Sequence, residues 1–94
     1  MTVKYTVIFL YFIFMFYVYM LLTERNTLYC GYTDNVEKRF EKHLSGEGAK
    51  YTRANKPIKI VYQAEFQNKS EAMKEEARIK KLKRNDKLRL AGLL

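Results

Sequence analysis

A chain of 94 residues is long enough for one compact domain with a modest hydrophobic core. Its formal net charge of +8, from 18 Lys and Arg against 10 Asp and Glu, points toward a polyanionic partner and says little about fold. The single cysteine, Cys30, excludes an internal disulfide, and with His43 as the one histidine no zinc-type cluster exists. A buried, reduced thiol and a cytoplasmic setting are therefore expected. The basic charge concentrates late: from Lys69 onward nine basic residues face four acidic ones. Such a tail alone does not separate DNA, RNA, ribosome or anionic membrane.

In chain order, the first feature is an uncharged run of 18 residues, Tyr5 to Leu22. Its length reaches the threshold for a membrane-spanning helix, with Lys4 as a positive flank. Its composition favours a strand, because aromatic and β-branched residues dominate and Gly and Ala are absent. No small-residue cleavage site follows it, as a secretory signal would require. Met15 lies inside the run, and a chain starting there would open directly on a strand. Residues 1–14 are accordingly expected to be a non-native or mis-assigned extension and residues 15–94 the domain; no membrane association is expected unless the extension is genuine. Mass spectrometry of the protein expressed from its own gene tests this, and a mature terminus at Met1 in the membrane fraction would contradict it.

Phe16–Leu22 and Leu28–Thr33 read as strands of a hairpin around a short polar loop. Asp34 or Asn35 can cap a helix, along which Val36, Phe40 and Leu44 recur as one apolar stripe. Ser45–Gly48 ends that helix. Pro57 opens a third strand, Ile58–Phe66, with Ile58, Ile60 and Tyr62 on one face. Asn68 or Ser70 caps a second helix running to about Lys83, and Asn85 or Asp86 starts a last one ending near Leu94. The order β-β-α-β-α-α predicts an α+β fold, a small, mainly antiparallel three-stranded sheet flanked by helices.

Arg39 and His43, four apart, share one flank of the first helix, and a guanidinium suits bidentate capture of a phosphate. An exposed arginine and a partly packed histidine are the plainer alternative. On the second helix the apolar arc of Ala72, Met73, Ile79 and Leu82 also takes in Glu75 and Glu76. A carboxylate on a packed side must be paired or bind a cation. Lys80 offers Glu76 an ion pair, and a magnesium ion with waters is the functional alternative. Spacing does not choose between the two glutamates. Five of the eight tyrosines, Tyr11, Tyr17, Tyr19, Tyr29 and Tyr32, lie in or beside the hairpin. Serine-nucleophile, phosphate-loop and paired-histidine motifs are absent.

Tyr17-Val18-Tyr19 followed by Tyr29-Cys30-Gly31 resembles the paired motif of the GIY-YIG nuclease superfamily. Thr33, Arg39, His43 and a late helical glutamate follow in the same order. AMKEEARIKKL (Ala72–Leu82), GAKYT (Gly48–Thr52) and the strand from Pro57 to Tyr62 are similar to the family's small single-domain branch, and the likeness covers about Met15 to Leu90. The resemblance implies a metal-dependent endonuclease that hydrolyses phosphodiester bonds, in DNA rather than RNA, using one divalent ion (magnesium or manganese) held by Glu76. It implies that Arg39 stabilises charge on the scissile phosphate and that Tyr19 and Tyr29 orient or deprotonate the attacking water. It further implies that His43 assists proton transfer or substrate positioning and that Gly31 permits close backbone approach. Lys50, Tyr51, Lys80, Lys83 and Arg84 are the expected nucleic-acid contacts, supplying affinity without base readout. Two departures bear on activity. The first motif reads YVY, and Tyr32 stands where many relatives carry a lysine, for which Lys50 is the candidate substitute. Without an added recognition domain, selection by nucleic-acid structure is expected. A non-cleaving nucleic-acid-binding module on the same fold is the alternative, and a membrane-anchored small protein is a third reading.

Overall fold

The computed structural model describes residues 15–94, so residues 1–14, with Tyr11 and the proposed extension, lie outside it. Three strands form the sheet: β1 (Phe16–Thr23), β2 (Leu28–Thr33) and β3 (Pro57–Phe66). Their order is β2-β1-β3, with both pairings antiparallel. Four helices complete the domain: α1 (Val36–Leu44), α2 (Lys50–Ala54), α3 (Lys69–Lys80) and α4 (Arg84–Leu90). The α+β architecture read from the sequence is present, with α2 as an addition. One and a half turns are too short to leave a hydrophobic period, and α2 has no side-chain cap at Ala49 to announce it.

The central strand accounts for the apolar run from Phe16 to Leu22. A strand paired on both edges and covered on both faces reads as continuously hydrophobic rather than alternating. Val18 and Met20 point to one face, where they pack with Cys30, Ala72 and Ile79 and with Leu82 and Leu90 at the margin. Tyr19 and Leu21 point to the other, where they meet Val36 and Phe40 of α1. The part of the run within the described residues is thus strand, and no helix among those residues is long and apolar enough to cross a membrane.

Register along β3 departs from simple alternation. Ile60 pairs with Leu21 while Tyr62 pairs with Met20, leaving Val61 as the extra residue of a bulge. Val61 and Tyr62 consequently pack on the same side, and Ile60 on the other. A second shift strands Ile58 in solvent. The expected face of Ile58, Ile60 and Tyr62 therefore does not exist as a unit.

Helix ends and faces correct several boundaries. Asn35 Oδ1 accepts from the Lys38 amide at 3.1 Å, and Asn68 Oδ1 accepts from the Glu71 amide at 2.9 Å, so asparagine caps both longer helices. Helix α3 stops at Lys80 rather than Lys83, and α4 starts at Arg84 and ends at Leu90, before Gly92 at φ +72°. The stripe on α1 runs through Val36, Phe40 and His43, because Leu44 is 45% exposed and His43 only 1%. At about 100° per residue, position 43 returns within about 20° of Val36, whereas position 44 overshoots by about 80°. On α3, Ala72 and Ile79 are fully buried but Met73 is 46% exposed.

These faces have distinct energetic consequences. Ile79→Ala should lower stability by about 2–5 kcal/mol, since a fully buried aliphatic side chain leaves a cavity behind. Met73→Ala should change it by less than about 0.5 kcal/mol. Urea unfolding of the two variants checks the assignment.

Candidate active site

A cleft of about 450 Å³ opens beside edge strand β2. Tyr19 enters it from β1, Tyr29 and Gly31 from β2, Arg39 from α1 and Glu76 from α3. Five of the residues implied by the family resemblance thus converge from four elements. His43 stands directly behind: its Nε2 lies 2.8 Å from Tyr19 Oη, and its Nδ1 lies 2.7 Å from Thr52 Oγ1. Tyr29 meets the same imidazole edge-on, with centroids 5.0 Å apart.

Local chain geometry makes this convergence possible. Tyr19 pairs across the sheet with Gly31, and a Cβ at position 31 would fall 2.6 Å from the Tyr19 phenol oxygen. Gly31 therefore yields space to the Tyr19 ring as well as opening the backbone to the cleft. Gly48 does the same for His43, whose Cγ would lie 2.6 Å from a Cβ there. The Gly48 carbonyl also accepts from Arg39 Nη2 at 3.0 Å, restraining the guanidinium.

Burial separates the proton affinities of the central pair. The Tyr19 phenol is pushed up to about 12 by burial, with the Tyr29 phenol adding to the rise and the Arg39 guanidinium opposing it. His43 is pulled down to about 4 by burial and by the positive charge of Arg39. Both groups are neutral at pH 7. Burial also raises the Cys30 thiol to about 11, so it remains protonated.

The two glutamates of α3 part ways. Glu75 is gripped by Arg78, with contacts of 2.6 and 2.8 Å, and that bidentate pair lowers its pKa. Glu76 faces the cleft, its side chain 19% exposed, with Lys80 Nζ no nearer than 3.7 Å. Its oxygens keep lone pairs available to a hard cation. Among the described residues no three acidic, cysteine or histidine side chains cluster, so the protein would supply a single carboxylate. That donor set fits magnesium or manganese, which retain several waters.

The expected nucleic-acid contacts divide. Tyr51 stacks on Tyr29, with centroids 6.0 Å apart and planes at 22°, and its hydroxyl donates to Thr27 at 2.7 Å. Tyr51 and Lys80, with Lys87, line a smaller neighbouring recess of about 240 Å³. Lys50, Lys83 and Arg84 line neither cleft. Lys50, the expected substitute for a lysine at Tyr32, is thus not part of the wall that Tyr32 itself lines. Three lysines not singled out in the sequence do so instead: Lys38, Lys42 and Lys69. The i, i+4 spacing of Lys38 and Lys42 around Arg39 was a readable signal. Thr52 and Gly48 were visible only as members of the family-like segment Gly48–Thr52, with nothing to mark their contacts with His43, because α2 itself was not legible.

Two outcomes follow from this geometry. Gly31→Ala should cost about 1–3 kcal/mol, since Tyr19 must be displaced, and thermal unfolding measures it. The one imidazole should titrate near pH 4 by NMR. Because its folded pKa lies below the usual 6.5, the unfolded chain binds the proton first. Stability should accordingly fall as pH drops from about 6.5 toward 4, and His43→Gln should remove that part of the slope.

The chain resembles known proteins over most of its described length. The model of the GIY-YIG catalytic domain matches residues 15–89. A UPF0213 protein of Oceanobacillus iheyensis is 53% identical over 74 residues, covering 79% of this chain and 86% of the relative. One from Natronomonas pharaonis is 51% identical over 76 residues, covering 81% and 89%. The solution structure of a UPF0213 protein from Bacillus halodurans is 43% identical, with 84% of each chain covered and a TM-score of 0.54. This chain belongs to the GIY-YIG catalytic-domain family, among its UPF0213 members.

Proposed function

We propose that the protein is a metal-dependent endonuclease hydrolysing phosphodiester bonds in DNA, with substrates selected by structure. The observation that carries this reading is the meeting of Tyr19, Tyr29, Arg39 and Glu76 in one cleft ringed by Lys38, Lys42 and Lys69. Phenols, a guanidinium and a carboxylate beside lysines suit a phosphate diester better than a neutral substrate.

Glu76 would hold one divalent ion, magnesium or manganese, and the bound ion supplies Lewis-acid stabilisation of the developing negative charge. Arg39, tethered to Gly48 through one amino group, directs its remaining donors at the scissile phosphate. Tyr19 and Tyr29 orient the attacking water. A phenol held near 12 is a poor base alone, so Tyr19 acts within the field of Arg39 and the cation. His43, hydrogen-bonded behind Tyr19, is the neutral acceptor for a proton leaving that phenol. Lysine contacts to the backbone read strand geometry rather than sequence, which supports structure-selective cutting. The buried, unpaired thiol of Cys30 suits a reducing cytoplasm.

A binding module without cleavage is the second reading, favoured by Tyr32 occupying the cleft wall. Cleavage of forked, flapped and single-stranded DNA with magnesium separates the two. Glu76→Ala and Arg39→Ala should each reduce kcat at least about 10²-fold while salt-sensitive binding persists. Wild-type binding without metal-dependent cutting on any of these substrates selects the second reading.

A further inference from the structure

Three buried side chains form a line from the cleft into the domain: Tyr19 at 1% exposure, His43 at 1% and Thr52 at 2%. Besides the contacts of His43 with Tyr19 and Thr52, a third hydrogen bond ends the line, in which Thr52 Oγ1 donates to the Ala49 carbonyl oxygen at 3.1 Å. A carbonyl only accepts, and threonine has one hydroxyl hydrogen. With that hydrogen committed to Ala49, Thr52 Oγ1 can meet His43 Nδ1 only as an acceptor, so Nδ1 carries the imidazole hydrogen. Nε2 of the neutral ring is then bare, and the Tyr19 hydroxyl donates to it across 2.8 Å. Gly48 sits so close to the ring that a Cβ there would fall 2.6 Å from His43 Cγ, which leaves the imidazole little free space on that side.

We propose that Thr52 is a positioning residue that holds His43 as its Nδ1–H tautomer and thereby turns the Tyr19 hydroxyl hydrogen away from the cleft. Tyr19 then faces the cleft as a hydrogen-bond acceptor. This gives the phenol one of two opposite roles. In the Nδ1–H form, its lone pairs can receive a hydrogen from water. As the water O–H breaks and a new phenol O–H forms, the original phenol hydrogen leaves to His43 Nε2, producing hydroxide and imidazolium. In the Nε2–H form, the imidazole donates to Tyr19, which turns its own hydrogen into the cleft and becomes a donor toward phosphate. No acceptor remains for the relay. Nothing about Tyr19 or His43 alone selects between these states; the hydroxyl of Thr52 does.

The catalytic consequence rests on the nuclease reading, but the tautomer does not. Long-range ¹H–¹⁵N correlation NMR of the one imidazole, without metal or DNA, should show a protonated Nδ1 and a bare Nε2 at neutral pH. Thr52→Val keeps the side-chain shape, removes the acceptor and should shift the ring mainly to Nε2–H, while Thr52→Ser should restore the wild-type pattern. If the valine variant fails to fold, Thr52→Ala gives the same readout. A protonated Nε2 in the wild type, or an unchanged tautomer without the hydroxyl, overturns the proposal. In cleavage assays Thr52→Val should lower kcat about 10²-fold with KM unchanged, and Thr52→Ser should remain within a few-fold of wild type. Wild-type kcat in a Thr52→Val protein with a switched tautomer overturns the catalytic role. Absence of cutting by the wild type counts against the nuclease reading, and the NMR result then decides the tautomer alone.

Discussion

Burial of β1 on both faces is the constraint on which the remaining structure depends. A central strand in a three-stranded sheet has no solvent side only if helices cover both faces, and the chain distributes them accordingly. Helices α3 and α4 close over Val18 and Met20, and α1 closes over Tyr19 and Leu21. Because successive side chains alternate, one strand serves two cores. The candidate site arises where the two layers meet around the narrow edge of β2. Glu76 reaches that edge from one layer and Arg39 from the other, with Gly31 adding no side chain between them.

Placing a phenol, an imidazole and a threonine hydroxyl inside such a core has an electrostatic consequence. Each would be costly to bury without partners, and the three satisfy one another in series. No buried side-chain nitrogen or oxygen among the described residues lacks a hydrogen-bond partner. The same desolvation drives the Tyr19 and His43 proton affinities far apart, keeping both uncharged at rest. The device is thus stable without substrate.

Adjacent residues of like chemistry take unlike environments for a geometric reason. One residue of helix is about 100° of rotation, enough to turn Glu75 toward Arg78 and Glu76 toward the cleft. A carboxylate held bidentately by arginine has little capacity left for a metal. One with a lysine at 3.7 Å retains it. The lysines divide in the same way: those on the rim of the cleft are set by the orientation of α1 and the start of α3, not by their density in the C-terminal quarter.

The fold was legible from the sequence because its signals are local. Eight consecutive residues of β1 rich in aromatic and β-branched side chains, asparagines before two helices and Pro57 at the head of β3 each act over a few positions. The order of Tyr19, Tyr29, Arg39, His43 and Glu76 was likewise visible along the chain. Other features depended on tertiary contacts. The bulge at Val61 follows from pairing with β1, and the burial of His43 in place of Leu44 follows from the angle at which α1 meets the sheet. Helix α2 was hidden because five residues carry no period, and with it went Thr52. By itself, then, the sequence determined the elements, their order and the side chains available for chemistry. Only the tertiary structure decided which glutamate faces the cleft, which lysines line it and which side chains stand behind Tyr19. Those choices depend on rotations of tens of degrees and distances of a few tenths of an ångström between segments far apart in the chain.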